Sequence, residues 1–204
     1  MKKVSVFLGL FLVLVSCSDQ DDVTTARQTV CNSESTEFQQ IYSQIAGNPL
    51  SLEQISIDTE VHGYTFMISS EKTICRVGYQ SNHTDAARPY TIEIVNEANN
   101  TVIYSGSHVF SQTAMSYVSL NATVTLQPNV FYTIRRIQTD WGGNAFNVCG
   151  KILRLGDGNF GYASFLPLNT SEMTITGAVF YDNGSLDPTI NSYVLPCLDI
   201  VFES

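Results

Sequence analysis

The chain has 204 residues, 44% of them hydrophobic and 14% charged, and its 10 Lys and Arg against 19 Asp and Glu give a formal charge of -9. That balance excludes a basic nucleic-acid binder, which needs a cationic surplus to displace counterions from phosphates. With 11 Phe and 10 Tyr the chain can bury enough apolar surface to offset its conformational entropy, so wholesale disorder is excluded and one globular domain is expected.

Lys2 and Lys3 precede Val4 to Val15, a twelve-residue apolar run broken only by Ser5 and Gly9, and Ser16 and Cys17 follow. The run is shorter than the roughly 20 residues that span a bilayer, and a small residue before a cysteine suits a signal peptidase. With its end at Leu14, Val15, Ser16, Cys17, it resembles bacterial lipoprotein signals. The resemblance implies that residues 1–16 are removed and that Cys17 is the lipid attachment site. The membrane is then a partner through several acyl chains, at about 0.8 kcal/mol per buried methylene. Asp19, Asp21 and Asp22 look like the acidic export tag of Bacteroidota lipoproteins, so the expected location is the outer membrane, exposed at the cell surface. Without residues 1–16 the count is 8 basic against 19 acidic residues, or -11. A body this acidic is repelled by anionic lipid, so membrane affinity has to come from the anchor.

Residues 17–35 are polar and acidic without apolar period, and read as a tether. The segment 36–50 reads as one short helix. Phe38, Ile41, Tyr42 and Ile45 fall at i, i+3, i+4 and i+7, Thr36 and Gln39 are spaced as a capping box, and Gly47, Asn48 and Pro49 form the stop.

From residue 52 the period is two. Strand-like runs are Leu52 to Ile57, His62 to Ile68, Thr73 to Tyr79, Tyr90 to Val95, Thr101 to Ser105, Ser116 to Leu120, Ala122 to Leu126, Val130 to Ile137, Ala145 to Leu153, Met173 to Tyr181 and Tyr193 to Phe202. Tyr90, Ile92 and Ile94 alternate with Thr91 and Glu93, and Leu198, Ile200 and Phe202 alternate with Asp199, which places Asp199 on a wet face. Such alternation marks antiparallel sheets with one solvated side, and this many short strands predict an all-β sandwich over 51–204. Without interleaved helical patterns a parallel α/β fold is excluded.

The run from Gly63, Tyr64, Thr65, Phe66 through Ile74 to Tyr79, and on to the corner Leu126, Gln127, Pro128, Asn129, Val130, Phe131, Tyr132, resembles the jelly-roll domains of uncharacterised secreted bacterial proteins. The closing Leu195 to Phe202 is similar to their final strand. The resemblance implies an antiparallel jelly-roll β-sandwich related in architecture to carbohydrate-binding modules, and it carries over no catalytic residue.

Cys31, Cys75, Cys149 and Cys197 make two disulfides feasible in an oxidising compartment, with three pairings left open. Cys75 shares the two-residue period of Val77 and Tyr79 and is expected to be buried with them. Arg135 and Arg136 are adjacent on a strand, so one must point inward, where a carboxylate partner is expected.

No nucleophile elbow is present, and His62, His83 and His108 lie in unrelated contexts, so the chain reads as a non-enzyme. No cofactor is expected. Calcium is the one candidate ion, at the turns Asp157, Gly158, Asn159; Asp182, Asn183, Gly184 with Asp187; and Asp140 beside Gly142, Gly143 and Asn144. Trp141 is the only tryptophan, set before two glycines and between Asp140 and Asn144. An exposed indole there stacks on a sugar face while Asp140 and Asn144 bond its hydroxyls, which makes these three residues the candidate ligand site. The expected function is a lipid-anchored, non-catalytic binding module with a glycan as partner. The alternatives are a structural or adhesive subunit that binds envelope proteins, and a glycoside hydrolase.

Overall fold

A computed structural model of the protein describes residues 30–57, 60–81, 87–138, 148–181 and 189–204. One helix, α1 (Glu37–Ala46), precedes β1 (Ser51–Ile57), β2 (Val61–Ile68), β3 (Lys72–Tyr79), β4 (Tyr90–Asn96), β5 (Thr101–His108), β6 (Ser116–Leu126), β7 (Phe131–Ile137), β8 (Val148–Leu155), β9 (Leu168–Asn169), β10 (Met173–Tyr181), β11 (Thr189–Asn191), β12 (Val194–Pro196) and β13 (Leu198–Phe202). The protein is all-β and antiparallel with one short helix, as its alternating pattern predicts. None of the described helices is long and apolar enough to cross a membrane.

The described strands form three sheets. A seven-stranded sheet runs β11-β10-β2-β7-β4-β5, with β9 added beside β10, and two three-stranded sheets run β1-β8-β12 and β13-β3-β6. Tyr64, Phe66, Ile92, Ile94, Tyr132 and Ile134 of the large sheet share one buried core with Ile74, Val77, Tyr79, Leu198 and Ile200 of the β13-β3-β6 sheet and Ile152 of β8. This is a sandwich-like body, and the jelly-roll path inferred from resemblance is finer than the strand order establishes. The Pro128 corner works through Tyr132, whose hydroxyl accepts the Gln127 N–H at 2.9 Å. Asn129 in that corner takes φ 59°, a conformation that asparagine tolerates better than most residues.

Three local features depart from the sequence reading. The run Tyr193 to Phe202 is two strands, because Pro196 has no N–H to continue a ladder and the chain passes there from one sheet to another. Ser116 to Leu126 is a single strand. Cys75 is the third. Opposite β13, Arg76 pairs with Val201 and Ile74 with Phe202, so Cys75 is an extra residue, a β-bulge. The bulge keeps Ile74 and Val77 both inside although they are three apart, and it turns Cys75 to a half-buried position. There it bonds Cys31, with the two Cα atoms 6.1 Å apart.

That bond ties down the described part of the expected tether. Val30 N–H donates to the Ser204 carbonyl at 3.3 Å and Ser204 N–H to the Val30 carbonyl at 3.1 Å, so the segment leads onto the body beside the last residues of the chain.

Candidate functional site

Asp140, Trp141 and Asn144 lie between β7 and β8, outside the described residues. Cys17, His83 and the turn with Asp182, Asn183, Gly184 and Asp187 are also outside the described residues, and for Cys149 only the backbone is described. The Asp157 turn is described. One Asp157 carboxylate oxygen accepts N–H bonds from Asn159 at 2.7 Å and Gly161 at 2.8 Å, which hold the carboxyl below its ordinary pKa. That oxygen therefore closes the turn. Among the described residues no three His, Cys, Asp or Glu gather to hold a metal.

The two arginines divide as their alternation requires. Arg135 bonds Glu93 of the neighbouring strand through Nε at 2.9 Å and Nη2 at 2.6 Å, half-buried. Arg136 points inward and is fully buried, its guanidinium 5.6 Å from the Tyr79 ring centroid and 5.4 Å from that of Tyr90, with Nη1 donating to the Glu60 carbonyl. The carboxylate pairing seen among the described residues thus belongs to Arg135.

His62 faces Arg136 across β2 and β7 and is completely buried. Neither ring nitrogen has a hydrogen-bond partner among the described residues, and the ring meets Phe180 edge-on at 4.9 Å. Burial, then the Arg136 charge, holds this imidazole well below its usual range, so it is neutral. His108 accepts from or donates to the Tyr104 hydroxyl at 2.7 Å and is a packed strand residue.

The arrangement with the most chemistry is a cleft of about 390 Å³ beside α1, lined by Phe38, Gln39, Tyr42, Glu53, Lys151, Cys197 and Asp199 among others. That size falls within the common range for small-ligand sites. Its first wall is the helix start. Thr36 caps α1 by accepting the Gln39 N–H at 3.1 Å, and its own hydroxyl donates to Asp199 at 2.7 Å. The Gln39 side chain does not close the expected capping box on Thr36. Its oxygen accepts the Ser35 N–H, while its amide donates to Asp199 at 3.0 Å and to the Tyr117 hydroxyl. Tyr117 in turn donates to Asp199 at 2.8 Å.

Asp199 is therefore the anion that occupies the positive end of α1. Desolvation raises its pKa, and the bonds from Thr36, Tyr117 and Gln39 oppose that rise. The second wall is a short relay. The Cys197 thiol donates to Tyr42 at 3.3 Å, Tyr42 donates to Glu53 at 2.6 Å, and Lys151 stands 3.8 Å from Glu53. Burial pushes the Cys197 thiol up to about 12, so it is a protonated donor and no ready nucleophile. Burial likewise raises Tyr42, with Cys197 and Glu53 adding to the shift.

None of these cleft residues was a candidate from sequence. The alternation of β13 puts Asp199 on a wet face, yet it is buried, because α1 packs on that side of β13 and Thr36, Gln39 and Tyr117 supply hydrogen-bond donors. The one signal in the sequence is an acid inside an apolar run, Leu198, Asp199, Ile200, Val201, and it does not say which face α1 covers. No protein-family model matches the chain, and no curated protein matches it.

Proposed function

We propose that the protein is a lipid-anchored envelope or cell-surface binding module, non-catalytic, with a glycan as its ligand. The cleft beside α1 carries the binding part of this reading. Tyr42 and Phe38 offer ring surface there, and Gln39, Glu53 and Lys151 place amide, carboxylate and ammonium groups around it, the mixture that polyhydroxylated ligands require. The non-catalytic part is supported by the commitment of its groups: both Asp199 oxygens and one Glu53 oxygen already accept hydrogen bonds from this chain's own side chains. Export is supported by the Val4 to Cys17 segment and by the Cys31–Cys75 bond, since disulfides persist in oxidising compartments. Asp140, Trp141 and Asn144 remain the second proposed contact.

Two measurements test it. Radiolabelled palmitate is expected to enter the wild type and not a Cys17→Ala variant; no label in either removes the anchor. Titration calorimetry against a glycan panel is expected to find a ligand whose affinity drops on Trp141→Ala or Tyr42→Ala. Equal affinity in both variants would remove these two contacts.

A second reading, a structural or adhesive subunit, is favoured by the strand edges. Among the described residues β1 and β5 end their sheets and expose Leu52, Ile55, Val102 and Ile103, and unpaired edges are templates for association. A native mass that grows with concentration would select this reading.

A further inference from the structure

We infer that the turn between β8 and the Tyr162 bridge is an aromatic platform that stacks on the pyranose rings of a neutral polysaccharide. This inference rests on the binding-module reading and adds a surface separate from the cleft. Phe160 is 111% exposed, at φ 69°. A bulky residue in the left-handed region is an outlier that surrounding structure must enforce. Here the enforcement is visible: Asp157 holds the Asn159 and Gly161 N–H groups, Gly158 takes φ 81°, and Gly156 bridges to Tyr162. The ring is thus presented to solvent by a braced turn.

The surroundings have the chemistry of a sugar, which offers apolar C–H faces and a rim of hydroxyls. Tyr162, Leu50 and Leu52 are exposed beside the turn, and the Arg154 guanidinium lies over the Tyr162 ring at 4.6 Å. The Gln54 amide lies near the Tyr162 hydroxyl and the Asp157 carboxylate sits in the turn, so amide, guanidinium and carboxylate groups edge the aromatic surface. A chain with a formal charge of -9 disfavours an acidic polysaccharide. A body this acidic is also repelled by anionic lipid. Arg154 pairs with Val194 at the start of β12, while residue 30 meets Ser204 beyond the end of β13, so the turn is not part of the corner where the anchored segment joins the body. It is separate from the cleft as well, since successive residues Glu53 and Gln54 of β1 serve the two surfaces from opposite faces.

Affinity electrophoresis of the full chain in detergent, through gels containing xyloglucan, mixed-linkage β-glucan or galactomannan, tests the inference. The parent is expected to be retarded by at least one. Phe160→Ala should weaken that retardation about three- to tenfold, the size of one aromatic stacking contact, and Phe131→Ala, which removes an exposed ring of β7 outside both surfaces, should not. Retardation of Phe160→Ala equal to the parent's would overturn the platform and leave glycan binding standing. Retardation of the parent by no polysaccharide overturns both. Self-association that depends on Phe160 in the polysaccharide-free gel also overturns it, in favour of an interface between copies. Phe160→Gly, which suits the backbone angle, checks folding: an unfolding midpoint at or above the parent's with retardation lost supports the platform. A midpoint lowered in both variants makes the ring a structural element and sinks the idea.

Discussion

His62 shows how an interior residue can set a pH limit without taking part in any chemistry. Its imidazole is neutral because burial and Arg136 both disfavour the charged form. A group whose folded pKa lies below its unfolded value contributes stability that is complete above the unfolded value, 6.5 here, and is lost as pH falls toward the folded one. Each pH unit within that window removes about 1.4 kcal/mol. Chemical denaturation at pH 7.5, 6.0 and 5.0 is therefore expected to show a steep acid loss in the wild type and a shallower one in His62→Leu. Parallel pH profiles would exclude His62 as the cause. Two residues away, Tyr64 has a buried hydroxyl with no partner among the described residues, so this strand concentrates polar groups with few local bonds.

At the scale of elements, α1 and β13 are joined through Asp199, and the joint has its own pH signature. Here the folded pKa is raised, so the carboxyl's contribution to stability is complete below its ordinary 3.8 and is lost as pH rises through the raised value. Asp199→Asn should flatten that part of the profile, so that its stability relative to the wild type improves from pH 4 to pH 7. Asp199→Ala leaves Thr36, Gln39 and Tyr117 without their shared acceptor, and a loss of about 2–3 kcal/mol is expected in urea denaturation. Unchanged stability in Asp199→Ala would show that α1 docks by its apolar face alone. The same element explains what the sequence could reveal. Thr36 as cap, Phe38, Ile41 and Ile45 as the buried stripe, and Gly47 as stop were all legible, because they depend on neighbours within a turn. The burial of Asp199 was not, because it depends on which strand face a distant helix covers. Cys75 was misplaced for a similar reason: one bulge residue reverses every face assignment before it, and no local residue type announces a bulge. Strand class survived these errors since alternation over many segments outvotes one slip.

For the molecule as a whole, the Cys31–Cys75 bond closes a loop with a sequence separation of 44 that contains all of α1, β1 and β2. Constraining a loop of that length in the unfolded chain is worth about 4 kcal/mol. A Cys31→Ser, Cys75→Ser double variant is expected to unfold at correspondingly lower urea, and reductant should destabilise the wild type but not that variant. If reductant leaves the wild type unchanged, the crosslink is not a major support of the body.

The meeting of Val30 with Ser204 has a practical corollary for anyone labelling this protein. On the proposal that Cys17 is acylated, an epitope or fluorescent cargo grafted behind Ser204 emerges at the same corner as the segment that leads to the anchor. Poor antibody access to such a tag would then report steric shielding, and could be mistaken for a body that faces the periplasm.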